Sequence, residues 1–131
     1  MSGLLLIAHA PLASALKAVA EHTFPDCARQ LQVLDVTPEM SAEAVESAAR
    51  ALLLAGGHAE NLVLTDVFGA TPSNAALRLR SATVQVISGV NVPMLWRSLC
   101  YAGQPLACLA ERASGGGQSG IVLSETPGVA P

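Results

Sequence analysis

The chain has 131 residues, 51% of them hydrophobic, 13% charged and only 3% aromatic, with a formal net charge of −3. That length suits one domain with its own core, and the apolar content excludes a disordered chain. Seven scattered Lys and Arg among ten Asp and Glu argue against nucleic acid as a partner, since phosphate binding needs clustered cations.

The apolar N-terminus lacks the positive flank of a signal peptide, and no stretch reaches the ~20 apolar residues of a membrane helix. A cytoplasmic location without membrane insertion is therefore expected. Cys27, Cys100 and Cys108 are odd in number and share no CxxC spacing, so they read as small buried hydrophobes in a reducing compartment.

The first element, "GLLLIA" (3–8), is an apolar run of strand length, followed directly by His9-Ala10-Pro11. A helical pattern comes next, with Leu12, Leu16 and Val19 on one face. "LQVLDV" (31–36) is a second strand, and Val45, Ala49 and Leu52 mark a second long helix. "NLVLTD" (61–66) leads into the turn Asp66-Val67-Phe68-Gly69-Ala70-Thr71-Pro72, and "TVQVIS" (83–88) into Ser88-Gly89-Val90-Asn91-Val92-Pro93. Alternating strands and helices at short spacing predict an α/β fold. The expected architecture is an open, doubly wound, mainly parallel sheet of flavodoxin-like order 2-1-3-4, with helices on both faces.

Beyond residue 104 the pattern weakens. "PLACLAERA" (105–113) reads as a last short helix and "SGGGQSG" (114–120) as a flexible linker. "IVLS" (121–124) is a candidate edge strand, in this sheet or another subunit's, and "ETPGVAP" a disordered tail. The whole chain, 1–131, then counts as a single domain whose stretch 115–131 is linker, candidate strand and tail.

Three strand-to-helix turns carry proline at or near the first helical position, where its missing N–H costs nothing. Thr71 and Asn91 are candidate N-caps. Helix N-termini attract anions, so these turns would line an anion-friendly rim. In a doubly wound sheet the ligand crevice lies at the carboxyl edge where the strand order reverses. For order 2-1-3-4 that point falls between strands one and three, at His9 and Asp66.

"LLLIAHAPLASAL", "VLTDVFGATPSNAA" and "ISGVNVPML", in this order, resemble the IIA component of the mannose family of the bacterial sugar phosphotransferase system. The likeness covers roughly residues 1–110. It implies that His9 accepts a phosphoryl group from the phosphocarrier HPr and passes it to a IIB partner. It implies that Asp66 holds the other ring nitrogen and that Thr71 lies beside the phosphate. The family's homodimer, with an exchangeable edge strand, is implied as well. Phe68 stands where tryptophan is frequent, and Gly69-Ala70 where the family has Gly-Gly.

The chemistry fits independently. A neutral imidazole attacks phosphorus without the activation a hydroxyl needs. A carboxylate on one ring nitrogen fixes the tautomer and stabilises the cation-like ring formed on phosphorylation. Backbone N–H groups near Pro11, Gly69, Ala70 and Thr71 suit the equatorial oxygens. Phe68, Asn91 and Met94 are the candidate partner-binding residues.

No cofactor or metal is expected, and no GxxxxGK[ST] occurs. Blander readings stand beside these. Gly69 and Gly89 supply turn geometry, Asn91 is only a cap, and Met94 and Trp96 pack the rim or fill core. His22 and His58 lie on the surface, and Arg78 and Arg80 end a helix or meet an acidic partner. The phosphotransferase subunit of dihydroxyacetone kinase resembles only the first motif. The alternative functional class is a non-catalytic α/β module binding a small anionic metabolite or a protein at its helix N-termini. Within the carrier reading, sugar uptake and a regulatory relay are both open.

Overall fold

A computed structural model of the chain describes residues 1–128. Its elements run β1 (Gly3–His9), α1 (Leu12–Thr23), α2 (Pro25–Ala28), β2 (Leu31–Val36), α3 (Ala42–Gly56), β3 (Asn61–Thr65), α4 (Thr71–Leu77), β4 (Val84–Ser88), α5 (Val92–Cys100) and α6 (Leu106–Ser119). The strands form one four-stranded parallel sheet of order β2-β1-β3-β4. The α/β fold and strand order expected from the sequence are thus those found.

Strand alternation divides the core in two. Leu4, Leu6 and Ala8 of β1 face α1, α2, α5 and α6, whereas Leu5 and Ile7 face α3 and α4. Both faces of β1 are covered, which is why its sequence is continuously apolar rather than alternating. The chain leaves β1 toward β2 on one side and β3 toward β4 on the other. The sheet's switch point therefore lies between the carboxyl ends of β1 and β3.

Four expectations need correction. The buried stripe of α1 is Ala13, Leu16 and Ala20, while Leu12 and Val19 are exposed. Small alanines let this helix approach the sheet closely, so they take the inner face. Cys27 and Cys100 are exposed and Cys108 is half-buried, so none is a core residue. Thr71 is not a cap: Ala70 occupies the N-cap position of α4 without a side-chain hydrogen bond.

The fourth correction concerns "SGGGQSG", which is helix rather than linker. α6 continues to Ser119, and its buried stripe of Leu106, Leu109, Ala110 and Ala113 ends in Gly116 and Gly117. A Cβ on Gly116 would stand 2.3 Å from the Cγ of Arg97, and one on Gly117 would stand 2.7 Å from the Cε of Met94. Glycine costs a helix about 1 kcal/mol relative to alanine. Here that cost is offset by the close packing of α6 on α5, which only a missing side chain allows.

Residues 121–124 form no strand in this chain, and Ile121, Val122 and Leu123 are 78%, 75% and 95% exposed. The expected tail, 125–131, extends past the described residues at 129–131. No helix among the described residues is long and apolar enough to cross a membrane.

Candidate functional site

His9 is the last residue of β1, and Asp66 directly follows β3. The parallel register pairs Ile7 with Thr65, so the two chain ends emerge side by side. The Nδ1 of His9 lies 2.7 Å from Oδ2 of Asp66, and the backbone N–H of His9 donates to the same oxygen at 3.0 Å. Oδ1 of Asp66 accepts from the N–H of Val67 at 2.9 Å.

Burial pushes the Asp66 carboxyl toward its neutral form. The N–H of His9, its ring and the N–H of Val67 outweigh that push, and the net pKa is lowered. The carboxylate is therefore an acceptor, so Nδ1 of His9 carries the proton. In the neutral ring the lone pair then resides on Nε2, in a side chain 53% exposed, while Asp66 is 12% exposed. The pair is a half-buried carboxylate orienting an imidazole whose other nitrogen faces solvent.

The neighbouring turns are built to offer backbone donors. Pro11 is the N-cap residue of α1, and the carbonyls of Pro11 and Ala70 accept the first helical bonds of α1 and α4 at 2.9 Å. Gly69 adopts φ +92°, a left-handed conformation that favours glycine, and its carbonyl accepts from Nδ2 of Asn74 at 3.3 Å. Among the described residues, the amides of Leu12, Ala13, Gly69, Ala70 and Thr71 make no hydrogen bond of normal geometry to an acceptor outside their own helices. Thr71 is half-buried at the first position of α4.

The three residues expected to meet a partner part ways. Phe68 is 75% exposed, and Val67 beside it is exposed too. Met94 is 5% exposed and packs in the core against the glycine end of α6, so it presents no surface to a partner. Asn91 is turned inward: its Oδ1 caps α5 by accepting from the N–H of Met94 at 2.9 Å, and its Nδ2 donates to the carbonyl of Gly117 at 2.9 Å.

Two features at this edge escaped the sequence reading. Asp35, next to last in β2, accepts from the N–H of Ser14 at 3.1 Å and from the Ser14 hydroxyl. Beneath the site, Thr65 donates to Ser88 at 2.9 Å, and Ser88 lies 2.9 Å from Ser73, linking β3, β4 and α4. A charged residue inside an apolar strand was the available signal for Asp35. The hydroxyl chain had none, because it joins three separate elements.

The comparisons with known proteins converge on one family. The family described as "PTS system fructose IIA component" (EIIA-man) matches residues 3–107. The sorbose-specific EIIA component of a phosphotransferase system from Lacticaseibacillus casei is 29% identical over 94 residues, covering 70% of this chain and 67% of that protein. The mannose/sorbose-specific IIA subunit from Enterococcus faecalis superposes with a TM-score of 0.87 at 22% identity, covering 98% of both chains. The EIIA component from Streptococcus agalactiae superposes with a TM-score of 0.83 at 23% identity, covering 93% of this chain and 96% of that one. With the family match spanning most of its length, the chain belongs to the mannose-type EIIA family of phosphotransferase-system components.

Proposed function

We propose that this chain is a phosphoryl carrier whose acceptor atom is Nε2 of His9, with phospho-HPr as donor and a IIB protein as acceptor. The observation that carries the reading is the 2.7 Å contact between Nδ1 of His9 and Asp66, which leaves one ring nitrogen committed and the other available. The Nε2 lone pair attacks the phosphorus of the donor phosphohistidine, and the bond to the donor ring nitrogen breaks. The ring of His9, still protonated at Nδ1, then carries positive charge that the Asp66 carboxylate balances. Transfer to IIB reverses these steps and returns His9 to its neutral form.

Charge in such a transfer spreads over the three equatorial oxygens. The amides of Gly69, Ala70 and Thr71, with those of Leu12 and Ala13 after Pro11, supply donors for them, and the Thr71 hydroxyl adds another. The exposed Val67 and Phe68 give the partners an apolar lip beside the phosphoryl group. No magnesium is needed, because no nucleotide phosphates are bridged. The carrier acts in the cytoplasm, in sugar uptake or as a relay of phosphorylation state.

Incubation with phosphoenolpyruvate, enzyme I and HPr is expected to add one acid-labile phosphoryl group to the intact mass, absent in His9→Ala. No gain under conditions that label a control IIA protein contradicts the reading.

The chain is also proposed to dimerise through the exposed "IVLS" segment, which supplies an edge strand to a second copy. Deleting residues 121–131, which leaves α6 (Leu106–Ser119) whole, is expected to lower the sedimentation mass from dimer to monomer; an unaltered mass refutes it.

A further inference from the structure

We propose that the groove between α5 and α6 is a second binding site, for a small anion that also carries hydroxyl groups. The groove is an open cleft of about 370 Å³, lined by Arg97 of α5 and by Glu111, Arg112, Gly116 and Ser119 of α6. It shares no residue with the His9 site.

Each arginine leans on a neighbour without forming an ion pair. The stem of Arg97 lies against Gly116, where a Cβ would stand 2.3 Å from Cγ. The guanidinium of Arg112 sits 4.6 Å from the centre of the Tyr101 ring. Among the described residues, the arginines with a carboxylate oxygen within 4.0 Å are Arg50 and Arg78; Arg97 and Arg112 have none. Two guanidiniums lining one cleft concentrate positive potential there, and each offers paired N–H donors shaped for a carboxylate or phosphate.

The other lining groups refine the ligand. Glu111 repels a ligand that is anionic all over but accepts from hydroxyls, and the Ser119 hydroxyl both donates and accepts. A cavity of 370 Å³ lies at the small end of ligand sites, which run from about 300 to 1,000 Å³. A phosphorylated or carboxylated polyol of a few carbons meets all three requirements: anionic oxygens for the arginines, hydroxyls for Glu111 and Ser119, and small size.

The test is a titration of the ¹⁵N-labelled full chain at constant ionic strength, following backbone amide shifts. The probes are glycerol 3-phosphate, glycerate, inorganic phosphate and neutral glycerol. Saturating shifts over residues 108–119 are expected with glycerol 3-phosphate or glycerate, and none with glycerol. Which of the two binds more tightly identifies the head group. Binding should weaken about tenfold or more in both Arg97→Gln and Arg112→Gln, as loss of a charge-assisted pair implies. Glu111→Ala, which leaves both cations in place, should abolish the preference for glycerol 3-phosphate over inorganic phosphate. The proposal is overturned if neither organic anion gives saturating shifts, if shifts persist undiminished in both arginine variants, or if they fall only on Leu12 and Gly69–Thr71.

Discussion

Asp66 and Asp35 stand at the carboxyl edge of the sheet on opposite sides of β1, and each receives two or more hydrogen bonds from the protein. Their partners make them different. Asp66 holds a ring with a second nitrogen left over, so its fixed geometry is passed to an atom that can react. Asp35 takes the amide and the hydroxyl of Ser14 in the first turn of α1, and nothing remains beyond that contact. Its carboxylate complements the positive end of the helix dipole and ties α1 to β2. A buried or half-buried carboxylate is thus not a functional signal by itself; what its partner leaves free decides.

The contrast can be broken most sharply at Asp66. In Asp66→Asn the amide can donate to Nδ1, which moves the ring proton to Nε2 and removes the nucleophilic lone pair. Phosphoryl transfer from phospho-HPr, followed by rapid quench, should slow by about two to four orders of magnitude with the fold intact. An unchanged rate would leave Asp66 no better than a turn residue. The same variant has a pH signature. Because the folded-state pKa of Asp66 is lowered, its contribution to stability is present above the ordinary carboxylate range and is lost as pH falls through the lowered value. Denaturant midpoints at neutral and acid pH should therefore differ less in Asp66→Asn than in the parent chain.

Asp35→Asn should have the smaller effect and the opposite balance. Loss of the charged acceptor at Ser14 is expected to cost about 1 kcal/mol in denaturant unfolding while transfer slows less than tenfold. A transfer defect as large as that of Asp66→Asn would put both carboxylates in the chemistry and end the distinction drawn between them.

The sequence carried the Asp66 side of this contrast better than the Asp35 side. The four strands follow from local runs and short connections, and the meeting of His9 with Asp66 follows from the switch-point rule once a flavodoxin-like order 2-1-3-4 is taken. Asp35 was legible only as an oddity within "LQVLDV", since its partner lies on another element. The glycines at 115–117 misled for a related reason. Local propensity marks them as linker, yet Gly116 and Gly117 are helical because Arg97, Met94 and Asn91 of a neighbouring segment need the space. Met94 follows the same logic: its motif placed it near the site, and packing turned it into the core. What depends on one segment could be read, and what depends on a distant partner could not.

The central claim is that Asp66 commits Nδ1 and so selects Nε2. Phosphorylated protein labelled with ¹⁵N in its histidine rings tests it directly, through long-range ¹H–¹⁵N correlation and the splitting of one ring nitrogen by ³¹P. The account predicts phosphorus on Nε2 of His9 with Nδ1 protonated. Phosphorus on Nδ1, or on His22 or His58, would contradict it.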